Sequence, residues 1–406
     1  MTIRDTIEGN WRREVDFLKA LVRAPSDNPP GDCAPAAEVA AQELAALGFT
    51  VERHRVPAAV VEAAGMKSAT NLIIRQMFGS GGPTVALNAH GDVVPPGNGW
   101  SVDPYGAVEE SGALYGRGVA VSKSDFATYA FALLALLANP QGLNGTVELH
   151  FTYDEEAGGT IGPKWLLDQK LTRPTMAISA GFSYAITTAH NGVLHLEVTV
   201  RGKQAHAAMP FTGADALEAA VPVLAAIYGE RRRLAGIVSK EKGIGSPQIT
   251  VGLISGGINT NVVPDRITFR LDRRIVPDED GAAVEKALVT LIEKALPKMP
   301  GITVECRRIM LAEPLRPLPG VDRMVTAIQR HAQEVLGVAV EPTGVPLYTD
   351  ARHYAAAGVP TVLYGAGPRS ILEANAHGAD EHLQLSDLRA ATEVIAFTLA
   401  DLLKPV

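Results

Sequence analysis

The chain has 406 residues, of which 47% are hydrophobic and 20% charged, the proportions of a globular protein long enough for two or three domains and not of a disordered chain. A formal net charge of −7 with no basic run speaks against a nucleic-acid partner. No apolar stretch reaches the length of a membrane span.

In chain order, MTIRDTIEGNWRREVDFLKALV is charged and periodic. It predicts an amphipathic helix rather than a signal peptide, with the cytoplasm as the default location. Cys33 and Cys306 are the only cysteines and are expected to be packed free thiols. Residues 33–47 predict a helix, TVALNAH (84–90) a buried strand with a polar end, 124–138 a helix, and TVELHFTYDEE (146–156) a further strand. That alternation predicts an α/β fold with a mostly parallel sheet flanked by helices. Ligands bind such sheets at the carboxyl ends of the strands, where His90-Gly91-Asp92 and Asp154-Glu155-Glu156 fall.

The middle of the chain changes character. VLHLEVTVRG (193–202) alternates like a half-buried strand, and a helix follows at about 214–228. PQITVGLISGG and RITFRLDRRIV give two strands, 280–296 a helix, and ITVECRRIML a last strand. The order β-α-β-β-α-β is ferredoxin-like. After it, 320–336 resume helix and TVLYGAG (361–367) buried strand. The expected organisation is an outer domain of residues 1–187 and 309–406 with an α+β domain, 188–308, inserted into it.

Four segments carry candidate chemistry. In NAHGD, Asp92 lies two residues from His90 and could orient a ligating imidazole. In DEEAGG, the adjacent Glu155 and Glu156 could divide the work of base and metal ligand. His206 lies in RGKQAHAAMP and His377 in ANAHGADEH. Singly these are weak signals, since a histidine at a strand end is usually no ligand and a Glu-Glu pair is usually a solvated face.

Together with YGRG and Lys123 (115–123), HNGVLHLEVTVRGKQAH, NVVPD and TDARHY, these segments resemble, in order and over nearly the whole chain, the co-catalytic zinc amidohydrolases. That family includes aminoacylase, acetylornithine deacetylase, succinyl-diaminopimelate desuccinylase and glutamate carboxypeptidase. The resemblance implies a zinc-exopeptidase-like catalytic domain and an inserted lid and dimerisation domain. It implies His90 as a ligand of one metal with Asp92 behind it, Glu155 as general base, and Glu156 and His377 as ligands of the other metal. It further implies a two-fold homodimer in which His206 stabilises the oxyanion in the partner's site. Asn261 and Arg274 are implied to hold a substrate carboxylate.

Two positions depart from the pattern. The family places a metal-bridging Asp where this chain has Val121, and a terminal carboxylate where it has Ala180. Two divalent ions bring four positive charges, and removing two carboxylates would leave about two of them uncompensated, at several kcal/mol. At most one divalent ion, zinc or manganese, or none, is therefore expected per chain. Asp125 could take over a lost role, although its place at the start of a helical run reads as a helix-end carboxylate.

Three readings of function follow. One is a single-metal hydrolase of an amide bond in a small carboxylate-bearing substrate. Another is a metal-free enzyme in which Glu155, Lys123 and the histidines do acid–base work on a different bond. The last is a non-catalytic small-molecule binder, against which stands the joint retention of His90, Asp92, Glu155, Glu156, His206 and His377.

Overall fold

The computed structural model describes residues 2–405. In chain order the elements are α1 (Ile3–Val22), α2 (Ala34–Ala46), β1 (Val51–Arg55), α3 (Ala58–Ala63), β2 (Thr70–Phe78), β3 (Thr84–His90), β4 (Val108–Glu110), β5 (Ala113–Tyr115), α4 (Lys123–Leu137), β6 (Gly145–Thr152), α5 (Pro163–Asp168), β7 (Met176–Ser179) and β8 (Ile186–His190). There follow β9 (Gly192–Arg201), α6 (Ala216–Leu234), β10 (Gln248–Gly256), β11 (Arg266–Ile275), α7 (Gly281–Ala295) and β12 (Thr303–Ala312). The chain closes with α8 (Val321–Leu336), β13 (Pro342–Val345), α9 (Ala351–Ala356), β14 (Thr361–Leu363), β15 (His382–Gln384) and α10 (Leu385–Leu402).

The chain divides into two compact units. One comprises Met1–Thr188, Pro317–Thr343 and Thr349–Val406; the other comprises Ala189–Arg316 and Gly344–Tyr348. Among the described residues no helix is long and apolar enough to cross a membrane.

The first unit is built on an eight-stranded sheet of order β1-β2-β6-β3-β7-β14-β8-β13. Its centre, β6-β3-β7-β14, is parallel, and β1, β2 and β8 add antiparallel pairings outside it. The sheet is thus mixed, with parallel pairing where strands are covered on both faces. TVALNAH forms β3 over the expected residues, and all of it but Thr84 is buried, as a central parallel strand requires. Strand β6 stops at Thr152, short of the expected 156. Asp154 turns inward there to accept the Ile161 N–H at 2.7 Å, and Glu155–Ala157 form a single 3-10 turn. Helix α1 starts with a capping box in which Thr2 and Asp5 satisfy each other's backbone N–H.

The second unit carries a four-stranded antiparallel sheet of order β10-β11-β9-β12. Leu194, Leu196 and Val198 of β9 face Val223 and Ile227 of α6 and Leu288 and Ile292 of α7 in one apolar cluster. The alternation read in VLHLEVTVRG is this inner face. Helix α6 runs on to Leu234, past the expected end at 228.

Candidate active site

Register brings the site together. In the parallel sheet His90 lies opposite Thr152, and Asn88 lies opposite Ser179. The carboxyl ends of β3, β6 and β7 are therefore neighbours, and they deliver His90, Glu155–Glu156 and Ala180 to one edge. His90 is buried, and its Nδ1–H donates to the backbone carbonyl of Asp92 at 3.0 Å. With Nδ1 engaged in that bond, Nε2 is the nitrogen that can ligate once its proton is displaced. The Asp92 carboxylate, expected to orient the ring, stands 3.4 Å from Nδ1 and is mainly engaged elsewhere. Its oxygens accept Asn28 Nδ2 at 3.0 Å and the backbone N–H groups of Glu155 and Glu156, each at 3.1 Å. Asp92 thus holds the turn that carries both glutamates.

The electrostatics of this edge are those of crowded acids around one imidazole. Burial raises the Glu155 carboxyl to about 7; the charges of Glu156 and Asp92 add to the rise, while His90 and Arg352 oppose it. Asp154 beneath it is likewise raised to about 7 by burial and by Asp92. Burial pulls the His90 imidazole down, but its hydrogen bond to Asp92 and the charges of Glu155, Asp92 and Glu156 outweigh that and hold it well above its ordinary range.

A pair of metal ions, as the resemblance implies, does not fit this donor set. Val121 and Ala180 offer no ligand atom, and among the described residues one cluster alone has the geometry to hold an ion: His90, Glu155 and Glu156, with ligand atoms all within 4.8 Å of one another. One divalent ion does fit. Three protein ligands suffice for a catalytic zinc, and Glu156 Oε1 is buried without a hydrogen-bond partner. His377 Nε2 comes to 3.1 Å from that oxygen in a charge contact, so His377 is adjacent to the trio though not part of it. His90 and Glu156 belong both to this cluster and to the expected set; Glu155, on the same short turn as Glu156, is the third member here, and His377 lies beside it.

Two neighbouring residues have other tasks. Asp125 lies in the first turn of α4, yet its carboxylate is fully buried. It accepts the N–H of Ala366 at 2.8 Å and of Gly181 at 3.2 Å, and so ties the loops after β14 and β7 to the helix rather than replacing the carboxylate missing at Val121. Lys123 is buried and donates to the carbonyls of Leu21, in the last turn of α1, and Ala24, just past it, at 3.0 and 2.9 Å. Burial lowers its ammonium to about 8, but two of its three donors are committed to those carbonyls.

In the second unit, residues 205–207 run beside 261–263: Ala207 N–H donates to Asn261 O, Val263 N–H to Ala205 O, and His206 bridges to Val262. His206 and Asn261 are both exposed. The Ala208 N–H donates to His206 Nδ1 at 3.1 Å, so the neutral ring carries its proton on Nε2. Arg274 is not with them. It sits near the other end of β11, eight residues from Arg266, roughly 26 Å at strand rise. It pairs with Asp272 at 3.0 Å, which His195 also contacts at 2.9 Å. Asn261 and Arg274 are thus well separated within one chain.

Several supporting residues escaped the sequence reading. Arg117 and Glu381 form a buried ion pair at 2.5 Å, and Glu381 Oε1 also accepts the N–H of Ala120 and Val121. Asn28 holds Asp92, and Arg352 and His353 both reach the carbonyl of Gly158. YGRG and TDARHY contained most of them, but nothing in either motif names a partner.

Known proteins agree with this architecture. The chain is 28% identical over 391 residues to succinyl-diaminopimelate desuccinylase of Acidiphilium cryptum (strain JF-5), covering 94% of this chain and 96% of that one. It is 29% identical over 373 residues to acetylornithine deacetylase of Myxococcus xanthus, covering 90% and 91%. The M20 family metallo-carboxypeptidase Sso-CP2 of Sulfolobus solfataricus shares the fold at a TM-score of 0.78 and 19% identity, over 97% of this chain and 99% of that one. The sequence profile of peptidase family M20/M25/M40 matches residues 86–401, and the chain belongs to that family and is, at that level, an amide-bond hydrolase.

Proposed function

We propose that this protein hydrolyses the amide bond of a small N-acyl amino acid or peptide-like substrate bearing a free carboxylate, with Glu155 as the general base. The observation that carries the reading is the placement of Glu155 at the carboxyl end of the parallel sheet, clustered with His90 and Glu156 and with its N–H held by Asp92; burial raises its carboxyl to about 7, which suits a general base. Its relatives named as a desuccinylase and a deacetylase point to acyl groups on amino acids. A single divalent ion, when bound, would polarise the carbonyl or acidify a water; His90, Glu156 and His377 would hold it, which leaves Glu155 free to act as the base.

The chain's own groups do the rest. Glu155 takes the proton of the attacking water and returns it to the leaving amine. Asp92 keeps the Glu155–Glu156 turn in register by its two accepted N–H bonds. His206, with its proton on Nε2, is a donor for the tetrahedral oxyanion. Arg274 and Asn261 are the candidates for the substrate carboxylate.

A homodimer formed through residues 188–308 belongs to the same reading. His206 and Asn261 lie at one end of the sheet and Arg274 at the other, so a single substrate meets both sets only if two chains contribute. Edge strand β10 and helix α6 expose Leu253, Ile254 and Val221, apolar residues suited to such a contact.

The deciding experiment is hydrolysis of a panel of N-acetyl and N-succinyl amino acids and dipeptides, with and without chelator. Release of free amine that Glu155→Gln abolishes supports the reading. Turnover that survives chelation assigns it to metal-free chemistry, and no amine release from any member sinks it.

A further inference from the structure

Glu155–Ala157 form a 3-10 turn of three residues, its two glutamates half-buried and Ala157 exposed. It is followed by Gly158 and Gly159 with φ of 108° and 65°. So short a turn has almost no stability of its own, and two successive left-handed glycines add conformational freedom rather than remove it. Yet this turn carries both glutamates of the site, so something outside it must set their position. At its amino end the answer is Asp92, which accepts the N–H groups of Glu155 and Glu156.

At the other end two cationic or proton-bearing side chains converge on one oxygen. Arg352 Nη2 and His353 Nε2, the latter at 3.1 Å, both donate to the carbonyl of Gly158, and Arg352 Nη1 donates to Thr349 O at 2.9 Å. Arg352 is buried, with 6% of its surface exposed, which suits a group anchored on main-chain carbonyls. The fit is tight: a Cβ on Gly159 would stand 2.0 Å from Asp350 Oδ1 and 2.8 Å from His353 Nε2. The turn is thus gripped with matched polarity, an anion on its N–H end and a guanidinium with an imidazole N–H on its C=O end.

We propose that Arg352 and His353 are positioning residues for Glu155 and Glu156, acting through the Gly158 carbonyl. The idea deepens the assignment of Glu155 as base and rests on it for its catalytic consequence only. Two measurements test it on the full-length protein. In Arg352→Met, backbone amides of residues 153–162 should exchange roughly tenfold faster with the rest of the chain unchanged. On a substrate from the panel, kcat should fall about a hundredfold with KM within about twofold, and Arg352→Lys should recover most of the loss.

A raised KM with kcat retained would make Arg352 a substrate-binding group and overturn the proposal, as would unchanged exchange over 153–162. Should Arg352→Met unfold globally, His353→Ala, which removes one of the two donors and leaves the guanidinium, takes its place under the same criteria. If the panel yields no turnover, the assignment of Glu155 fails, while the exchange measurement still decides whether the grip exists.

Discussion

Glu381 accepts the backbone N–H of Val121 on Oε1 at 3.2 Å. The position where relatives are expected to present a carboxylate side chain is here secured by its main chain on a carboxylate from another element. Glu381 also pairs with buried Arg117 at 2.5 Å. Neutralising it in Glu381→Gln leaves a buried guanidinium unpaired and should cost about 3–5 kcal/mol of stability. Denaturant unfolding followed by circular dichroism measures this, and a change below about 0.5 kcal/mol would show that Arg117 finds solvent or another partner.

Glu155→Gln keeps the size and most hydrogen-bonding capacity of the side chain while removing its basicity. It should lower kcat by about a hundredfold or more with KM little changed. Steady-state kinetics on a panel substrate decide the matter, and full activity in the variant removes Glu155 from the chemistry.

Metal stoichiometry follows from the donor set. After dialysis against trace zinc or manganese, elemental analysis should find no more than one tightly held equivalent per chain, because the described residues offer one cluster and Val121 and Ala180 supply no anion. Any ion found should be lost in Glu156→Ala. The double variant Val121→Asp, Ala180→Asp should gain uptake. Two tight equivalents in the native chain would contradict the charge argument.

Glu14 gives a prediction about pH. It is fully buried in α1, held by the Thr392 hydroxyl at 2.5 Å, and burial raises its carboxyl well above the ordinary value. The folded state therefore keeps its proton where the unfolded state has released it. Glu14 contributes its stability below the unfolded value of about 4.5 and loses it as pH rises toward the folded value. Glu14→Gln should match the native protein near pH 4 and become the more stable of the two by pH 8. Melting curves at both pH values test this, and a gap that narrows with rising pH refutes it.

Subunit mixing tests the dimer. Inactive His206→Ala and inactive Glu155→Gln chains, allowed to exchange, should regain part of the native activity if His206 serves the partner's site. Mixed dimers without activity would confine His206 to its own chain or to a structural role.

What was legible in the sequence follows from how each feature is encoded. β3 is legible to the residue because a central parallel strand is a continuous apolar run, and β9 to within one residue at each end because one face is packed and the other wet. β2 was not, because Arg75 and Gln76 interrupt its apolar run; Arg75 is accepted in the fold by Glu52 at 2.7 Å and by Glu148 on the next strand. The end of β6 was overrun because Asp154, Glu155 and Glu156 continue the strand's pattern of spacing, and only the distant Ile161 N–H and Asp92 carboxylate explain the turn. In the site, His90, Glu155 and Glu156 could be named from their motifs. Asn28, Arg117, Arg352 and Glu381 act by reaching main-chain atoms or side chains 64 to 264 positions away, and such pairings leave no local trace. Asp125 was half read: its helix position was correct, but its two accepted N–H bonds come from Gly181 and Ala366.

The bond between Asp125 and that pair of loops also restricts the order in which this chain can change. A Cβ on Gly365 would stand 2.0 Å from Asp125 Oδ1, and Gly365 has no left-handed φ that would itself demand glycine. Glycine is required at 365 because of the carboxylate at 125. Gly365→Ala should be poorly tolerated in the native chain and well tolerated once Asp125 is replaced by serine or glycine. A lineage that acquired Asp125 first needed a glycine opposite it, and one that returns to a small residue at 125 is released from that glycine, so the two positions can drift only in sequence.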